Sequence, residues 1–240
     1  MLDQLDLSKI LFLDIETVPQ EEHYSNLDDD WRSLWERKSS YLRATRDSTA
    51  EELYERAGIY AEFGKVICVS FGILNKQESK REFRIKSIAN ANEKELLIEL
   101  REILDKFYKG PEYLLCAHNG KEFDFPYLAR RILINGLKLP HLLNIAGRKP
   151  WEVQHLDTMD LWKFGDYKHF TSLKLLCKIF GIQSPKNNMD GSKVAEVFYK
   201  DGDIKRIIDY CQEDMIAVAQ LLLKYVGDEP LKKKELKFLK

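Results

Sequence analysis

Residues Lys9–Thr17 read KILFLDIET, an apolar run of strand length that ends in acids. A strand that is apolar on both faces has to be covered on both, so this run predicts the central strand of a layered α/β domain. Asp14 and Glu16 sit at its carboxyl end. Their i, i+2 spacing places both on one face of the strand, roughly 7 Å apart. Two like charges at the end of a buried strand repel each other and lose solvation, and they need a compensating cation. Without one, the strand has to end at the surface with its acids in water.

The remaining pattern surrounds that strand. Residues 20–60 open acidic, in QEEHYSNLDDD, and then turn helical, with a capping-box pattern at Ser48-Thr49-Ala50-Glu51 that starts a helix to about Gly58. Val66–Leu74 and Lys80–Ile88 read as strands, the second alternating as a half-exposed strand does. Asn92-Glu93-Lys94-Glu95 caps an amphipathic helix to about Tyr108. Tyr113–Ala117 is a strand, Phe123–Asn135 a helix stopped by Gly136, and residues 153–158 a last strand. Helices follow at 172–180, 192–199 and about 203–226. The order predicts an α/β fold, a mixed sheet flanked by helices, with a helical insertion after the first strand. The expected division is one domain over 1–228, its insertion at about 20–62, and a basic tail at 229–240.

Composition narrows the function. Lys and Arg number 38 against 39 Asp and Glu, a formal net charge of −1, which argues against holding nucleic acid mainly by bulk charge and leaves a local grip on a few nucleotides open. No stretch is long enough to span a membrane and no secretory leader is visible, so a cytoplasmic location is expected. Cys68, Cys116, Cys177 and Cys211 each lie in an apolar segment without CxxC spacing, as buried reduced thiols do. There is no GxxxxGK[ST] and no GxGxxG, so neither an ATP-driven motor nor a dinucleotide enzyme is supported.

Two further acids stand out. Asp124 falls where a strand-loop-helix unit enters its helix, near the edge at which open α/β sheets collect ligands. A first-turn Asp favoured by the helix dipole explains the same position. In the last helix, with Ile207 at 0°, Ile208, Cys211, Val218, Leu222 and Tyr225 fall between about 0° and 100°. Asp214 falls at about −20°, beside this apolar stripe, with Tyr210 one turn earlier on the same side. An acid facing the core must be neutralised, bound to metal, or paired with a buried Arg or backbone donors. Four carboxylates from two strand ends and a helix suit hard cations. Two divalent ions roughly 4 Å apart can activate a water and stabilise the leaving oxygen of a phosphodiester.

Asp14-Ile15-Glu16-Thr17, Asn119-x3-Phe123-Asp124 and Tyr210-x3-Asp214 resemble, in order, the three exonuclease motifs of the DEDD superfamily. Its sister group has His five residues before the last acid; here that position is Asp209, so the chain resembles the DEDDy subgroup. HNGKEFDFPYLARR and SLKLLCKIFGI resemble the proofreading exonuclease domain of B-family DNA polymerases. The chain from about residue 9 to 226 is similar to stand-alone predicted 3′–5′ exonucleases related to that domain. The resemblance implies a ribonuclease H-like fold, a five-stranded mixed sheet with its second strand antiparallel. It implies two divalent ions, Mg²⁺ or Mn²⁺. Asp14 would bridge both, Glu16 and Asp214 would complete the first site, and Asp124 would hold the second. Tyr210 would orient the attacking water, and Thr17, Asn119 and Phe123 would meet the substrate. The implied activity is removal of nucleoside 5′-monophosphates from the 3′ end of single-stranded nucleic acid, DNA ahead of RNA. An exoribonuclease on the same site and a catalytically idle binding module are the alternatives. Any proofreading role would need a polymerase or repair partner in trans.

Other residues carry two readings each. Asp157 is a fifth acid near the site or a helix cap. Arg130, Arg131 and Lys186 meet phosphates or are simply solvated. Trp31, Trp35 and Tyr41 stack on bases or pack in a core. His118 is a general base or, as two-metal hydrolysis requires nothing of it, a packed residue. LKKKELKFLK is a basic arm, a partner-binding helix or a frayed end.

Overall fold

The computed structural model describes residues 2–43, 48–77, 80–166, 170–183 and 189–239; Lys186 lies outside them. Strands β1 (Ile10–Pro19), β2 (Gly64–Gln77), β3 (Lys80–Ala89), β4 (Leu114–Ala117), β5 (Leu156–Asp157) and β6 (Leu236–Phe238) form one sheet in the order β5-β4-β1-β2-β3-β6. β2 is antiparallel to both neighbours, and β4 runs parallel to β1 and β5. The helices are α1 (Asp29–Arg43), α2 (Glu93–Phe107), α3 (Asp124–Ile134), α4 (Thr158–Lys163), α5 (Leu173–Phe180), α6 (Val194–Glu196) and α7 (Ile204–Tyr225). This is a ribonuclease H-like α/β fold, with six strands rather than the five expected. The sixth comes from the Lys-rich end of the chain, where Leu236–Phe238 lie parallel to Phe83–Ile85. A short edge strand with an exposed lysine, Lys237, is compatible with the solvent it faces.

β1 is central, and its two faces are covered by different helices. Leu11, Leu13 and Ile15 pack with Leu96, Leu97 and Leu100 of α2 and Phe125, Leu128 and Ile132 of α3. Ile10 and Phe12 pack with Met215, Val218 and Leu222 of α7 on the other face, and Val18 with Ile207 and Cys211. By alternation, Asp14 and Glu16 interrupt the α7 face between Phe12 and Val18. A register shift follows directly, between Glu16 and Thr17.

Local chemistry sets the helix ends. Asn92 accepts from Lys94 N at 3.1 Å to open α2, Asp203 accepts from Arg206 N at 3.0 Å to open α7, and Gly136 (φ +71°) follows α3. The insertion's capping box lies one residue later than expected. Thr49 and Glu52 exchange bonds of 2.7 and 3.1 Å, and the helix they start is a 3-10 helix over Glu52–Ile59. The strand expected at 153–158 is only Leu156–Asp157, because Asp157 turns at once to cap α4 through Met159 N at 2.9 Å. The helix expected at 192–199 is α6 continued by a π turn at Val197–Asp201.

The insertion has its own core of Leu27, Trp35, Leu53, Tyr54 and Phe63. Trp35 is fully buried, its indole N–H donating to Ala50 O at 2.7 Å, while Trp31 packs edge-on against Phe63 at 5.8 Å and Tyr41 is exposed. Trp35 is therefore a core residue and not a base-stacking one. Arg131 ties the insertion to the domain. It is buried, donates to Glu93 Oε1 at 2.8 Å and to Ala61 O at 2.9 Å, and so is neither solvated nor a phosphate contact. Among the described residues, no helix is long and apolar enough to cross a membrane.

Candidate active site

Three elements bring the acids together. β1 carries Asp14 and Glu16 on the face that α7 covers, α7 carries Tyr210 and Asp214, and α3 begins at Asp124 beside the end of β1. The backbone N–H groups of Ile15 and of Asp124 itself partly offset the effect of burial on the Asp124 carboxyl. Burial holds Asp14 far above the ordinary carboxylate range, and Glu16, Asp124 and Asp214 push it further the same way. Glu16 is raised well above its usual value by burial and then by Asp214. Burial pushes Asp124 up to about 7 and Asp214 to about 6, the latter relieved by a hydrogen bond from the Tyr210 hydroxyl. Tyr210 is itself raised, by burial and by the acids around it, so it stays a phenol. The four acids and the tyrosine form one electrostatic cluster.

Among the described residues, no protein cation answers that charge: no Lys or Arg pairs with Asp14, Glu16, Asp124 or Asp214. The buried Asp14 Oδ2 has no hydrogen-bond partner at all. A buried Arg opposite Asp214, the structural alternative, is therefore not found among them. Unpaired buried carboxylates in this number fit divalent cations, which are the charge the site lacks.

Cys211 is a neighbour that the sequence pattern did not place here. Its sulfur and one oxygen each of Asp14 and Glu16 lie within 4.8 Å of one another. Burial pushes the Cys211 thiol well up, with Cys68 adding to the shift, and the thiol donates to the Asp14 carbonyl at 3.4 Å. It therefore packs against β1, and the carboxylate oxygens are the hard donors of the cluster, the kind that could hold a divalent cation. All four cysteines are free and buried.

The turn after β4 is built around Asp157. Its carboxylate accepts from Asn119 N at 2.9 Å, Lys121 N at 3.1 Å, Met159 N at 2.9 Å and Asp160 N at 3.3 Å. Asp157 is thus a cap, as one reading had it, and it also folds the loop that leads to Asp124. That loop holds Asn119 at φ +65°, with its side-chain Oδ1 buried and unpartnered. A side chain at Gly120 would meet Ala117 Cβ at 2.5 Å, so the turn needs a glycine there. Phe123 lies half-buried just before α3 and packs on Tyr127 at 5.3 Å. Thr17 lies past the register shift, near Tyr127, whose hydroxyl donates to Gly58 O at 2.7 Å. His118 is held between Thr158 Oγ1 and Thr171 O, both at 2.9 Å, and burial lowers its pKa. A carbonyl can only accept, so Nε2 carries the proton and Nδ1 takes that of Thr158. Both ring nitrogens are occupied, which is the packed reading.

Fold and cluster together define a class: a ribonuclease H-like domain with unpaired acids gathered at its central strand. Residues 59–229 match the family model described as "Predicted 3'-5' exonuclease related to the exonuclease domain of PolB", and the chain belongs to that family. Asp124, Tyr210 and Asp214 fall inside the matched span. Asp14 and Glu16 precede it and join the others through the sheet.

Proposed function

We propose that the protein is a metal-dependent 3′–5′ exonuclease that removes nucleoside 5′-monophosphates from single-stranded nucleic acid, DNA ahead of RNA. The carrying observation is the convergence of Asp14, Glu16, Asp124 and Asp214 in a buried cluster that no cation among the described residues pairs with. Two divalent ions, Mg²⁺ or Mn²⁺, would supply the charge that activates water and steadies the leaving 3′ oxygen. Asp14 stands between the other three acids electrostatically, which suits a ligand shared by both ions. Glu16, raised by the charge of Asp214, suits a first site shared with it, and Asp124 at the start of α3 suits the second. The Tyr210 hydroxyl, which eases the upward shift of Asp214, would accept from the attacking water and aim it. Asn119, with its carbonyl oxygen unpartnered, and Phe123 suit the approaching strand, and Thr17 the backbone near the scissile bond. The preference for DNA rests on the family's relation to the polymerase exonuclease domain.

Direction is the test. Digestion should stop when the 3′ end of an oligonucleotide is blocked and continue when the 5′ end is. Digestion that ignores the 3′ block would remove the assignment.

A further inference from the structure

A cavity of about 400 Å³ lies outside the acid cluster, between α3, the loop that follows it and α4. The turn Asn119–Glu122 forms one wall, so cavity and acids share the segment that ends in Asp124. The chain from Asn119 to Asp124 spans at most ~18 Å, which keeps the two within reach of a few nucleotides. The floor is apolar, with Leu139, Leu143, Ile145 and Met159. Four cations, Lys121, Arg130, Lys163 and Arg148, stand around it.

Charge counting singles out the two arginines. Asp160 is engaged by Lys121 at 3.3 Å and by Lys163 at 4.0 Å, and the Asp157 oxygens are taken by backbone N–H groups. Arg130 and Arg148 are exposed and have no acidic partner among the described residues. Glu122 is the remaining acid in the lining, so the cavity is net basic. An apolar floor under uncompensated guanidinium groups matches a ligand with flat apolar faces and a repeating anionic backbone. The volume is in the range of ligand sites.

We infer that this cavity receives the nucleotides of the substrate strand lying 5′ to the one being removed, with Arg130 and Arg148 on their phosphates. The inference rests on the exonuclease reading of the acid cluster and extends it to how the strand is held.

The probe is a fluorescein-labelled oligothymidylate of about twelve nucleotides with a non-hydrolysable 3′ linkage, titrated in Ca²⁺. Arg130→Glu/Arg148→Glu should weaken binding at least ~tenfold and lower the slope of log affinity against log salt by about one to two. Arg130→Ala/Arg148→Ala should lose less, and Lys237→Glu, on edge strand β6, should change nothing. Free thymidine monophosphate should compete poorly, because the cavity reads a strand. A dinucleotide with a free 5′ hydroxyl, whose single phosphate is the one being cut, offers the arginines no phosphate and should be hydrolysed with unchanged kcat and KM by the arginine variants. Equal binding by wild type and the Glu variant overturns the inference, as does equally strong competition by the mononucleotide. Dinucleotide hydrolysis with arginine-independent binding removes the cavity and keeps the exonuclease. Arginine-dependent binding without hydrolysis of any substrate keeps the cavity as a strand-binding surface and removes the exonuclease.

Discussion

The Asp157 carboxylate accepts the backbone N–H of Asn119 at 2.9 Å, across 38 positions of sequence. One buried acid thereby sets the conformation of the loop between β4 and α3, and through it the approach to Asp124. Asp157→Ala strands those N–H groups, at a cost of about 1–3 kcal/mol each where they stay dry. The expected outcome is a lower denaturation midpoint together with a fall in kcat, with Asp157→Asn intermediate in both. Full activity in Asp157→Ala would show that the loop is held by something else.

The pH dependence follows from the raised carboxyl groups. An acid whose folded pKa lies above its unfolded value favours the folded state below the ordinary carboxylate range, and that stability is lost as pH rises through the folded pKa. With Asp214 at about 6, Asp124 at about 7 and Asp14 and Glu16 raised further, the metal-free protein should lose Tm from about pH 5 upward. Mn²⁺ should restore it, by ~2.7 kcal/mol at a hundredfold excess over Kd, and more at about pH 8 than at about pH 5. Asp14→Asn should raise the metal-free Tm and abolish most of the metal-induced shift. Thermal scans in EDTA and in Mn²⁺ at both pH values decide it.

Tyr210→Phe keeps the ring and loses the hydroxyl. Binding of Mn²⁺ should be nearly unchanged, while kcat drops on the order of a hundredfold from a misaimed water. A variant with wild-type kcat would take Tyr210 out of the mechanism.

Glu93 and Arg131 form a buried pair that also binds Val66 N at 2.7 Å and Ala61 O at 2.9 Å. Removing either partner leaves an uncompensated charge, and Glu93→Ala or Arg131→Ala should cost ~3–5 kcal/mol. The double variant should cost less than the sum, because neither charge is left alone. Urea titrations of the three variants measure the difference.

What could be read from the sequence was what one element shows by itself. β1 declared its burial in an apolar run, and Asp214 its inward position in a helical period, with Ile207, Cys211, Val218 and Leu222 buried around it. What could not be read depends on distant partners. Arg131 looked like any helix-surface cation because Glu93 lies 38 positions earlier. Asp157 looked like an ordinary cap because its second pair of N–H groups comes from another loop. β6 looked like a tail because three residues carry almost no periodicity, and its pairing is made by the backbone of β3. Cys211 gave only its apolar context, and its approach to Asp14 required the packing of α7 on β1.

In the proposed function, Asp14, Glu16, Asp124 and Asp214 would hold the metal needed to cut the strand. The direct measurement is release of mononucleotides from a labelled single-stranded oligonucleotide in Mn²⁺, by wild type and by Asp14→Ala and Asp214→Ala. Wild type should shorten the strand stepwise from the 3′ end, and each variant should lose at least ~10³-fold in rate. Undiminished degradation by either variant, or binding by wild type with no shortening in Mg²⁺ or Mn²⁺, would contradict it.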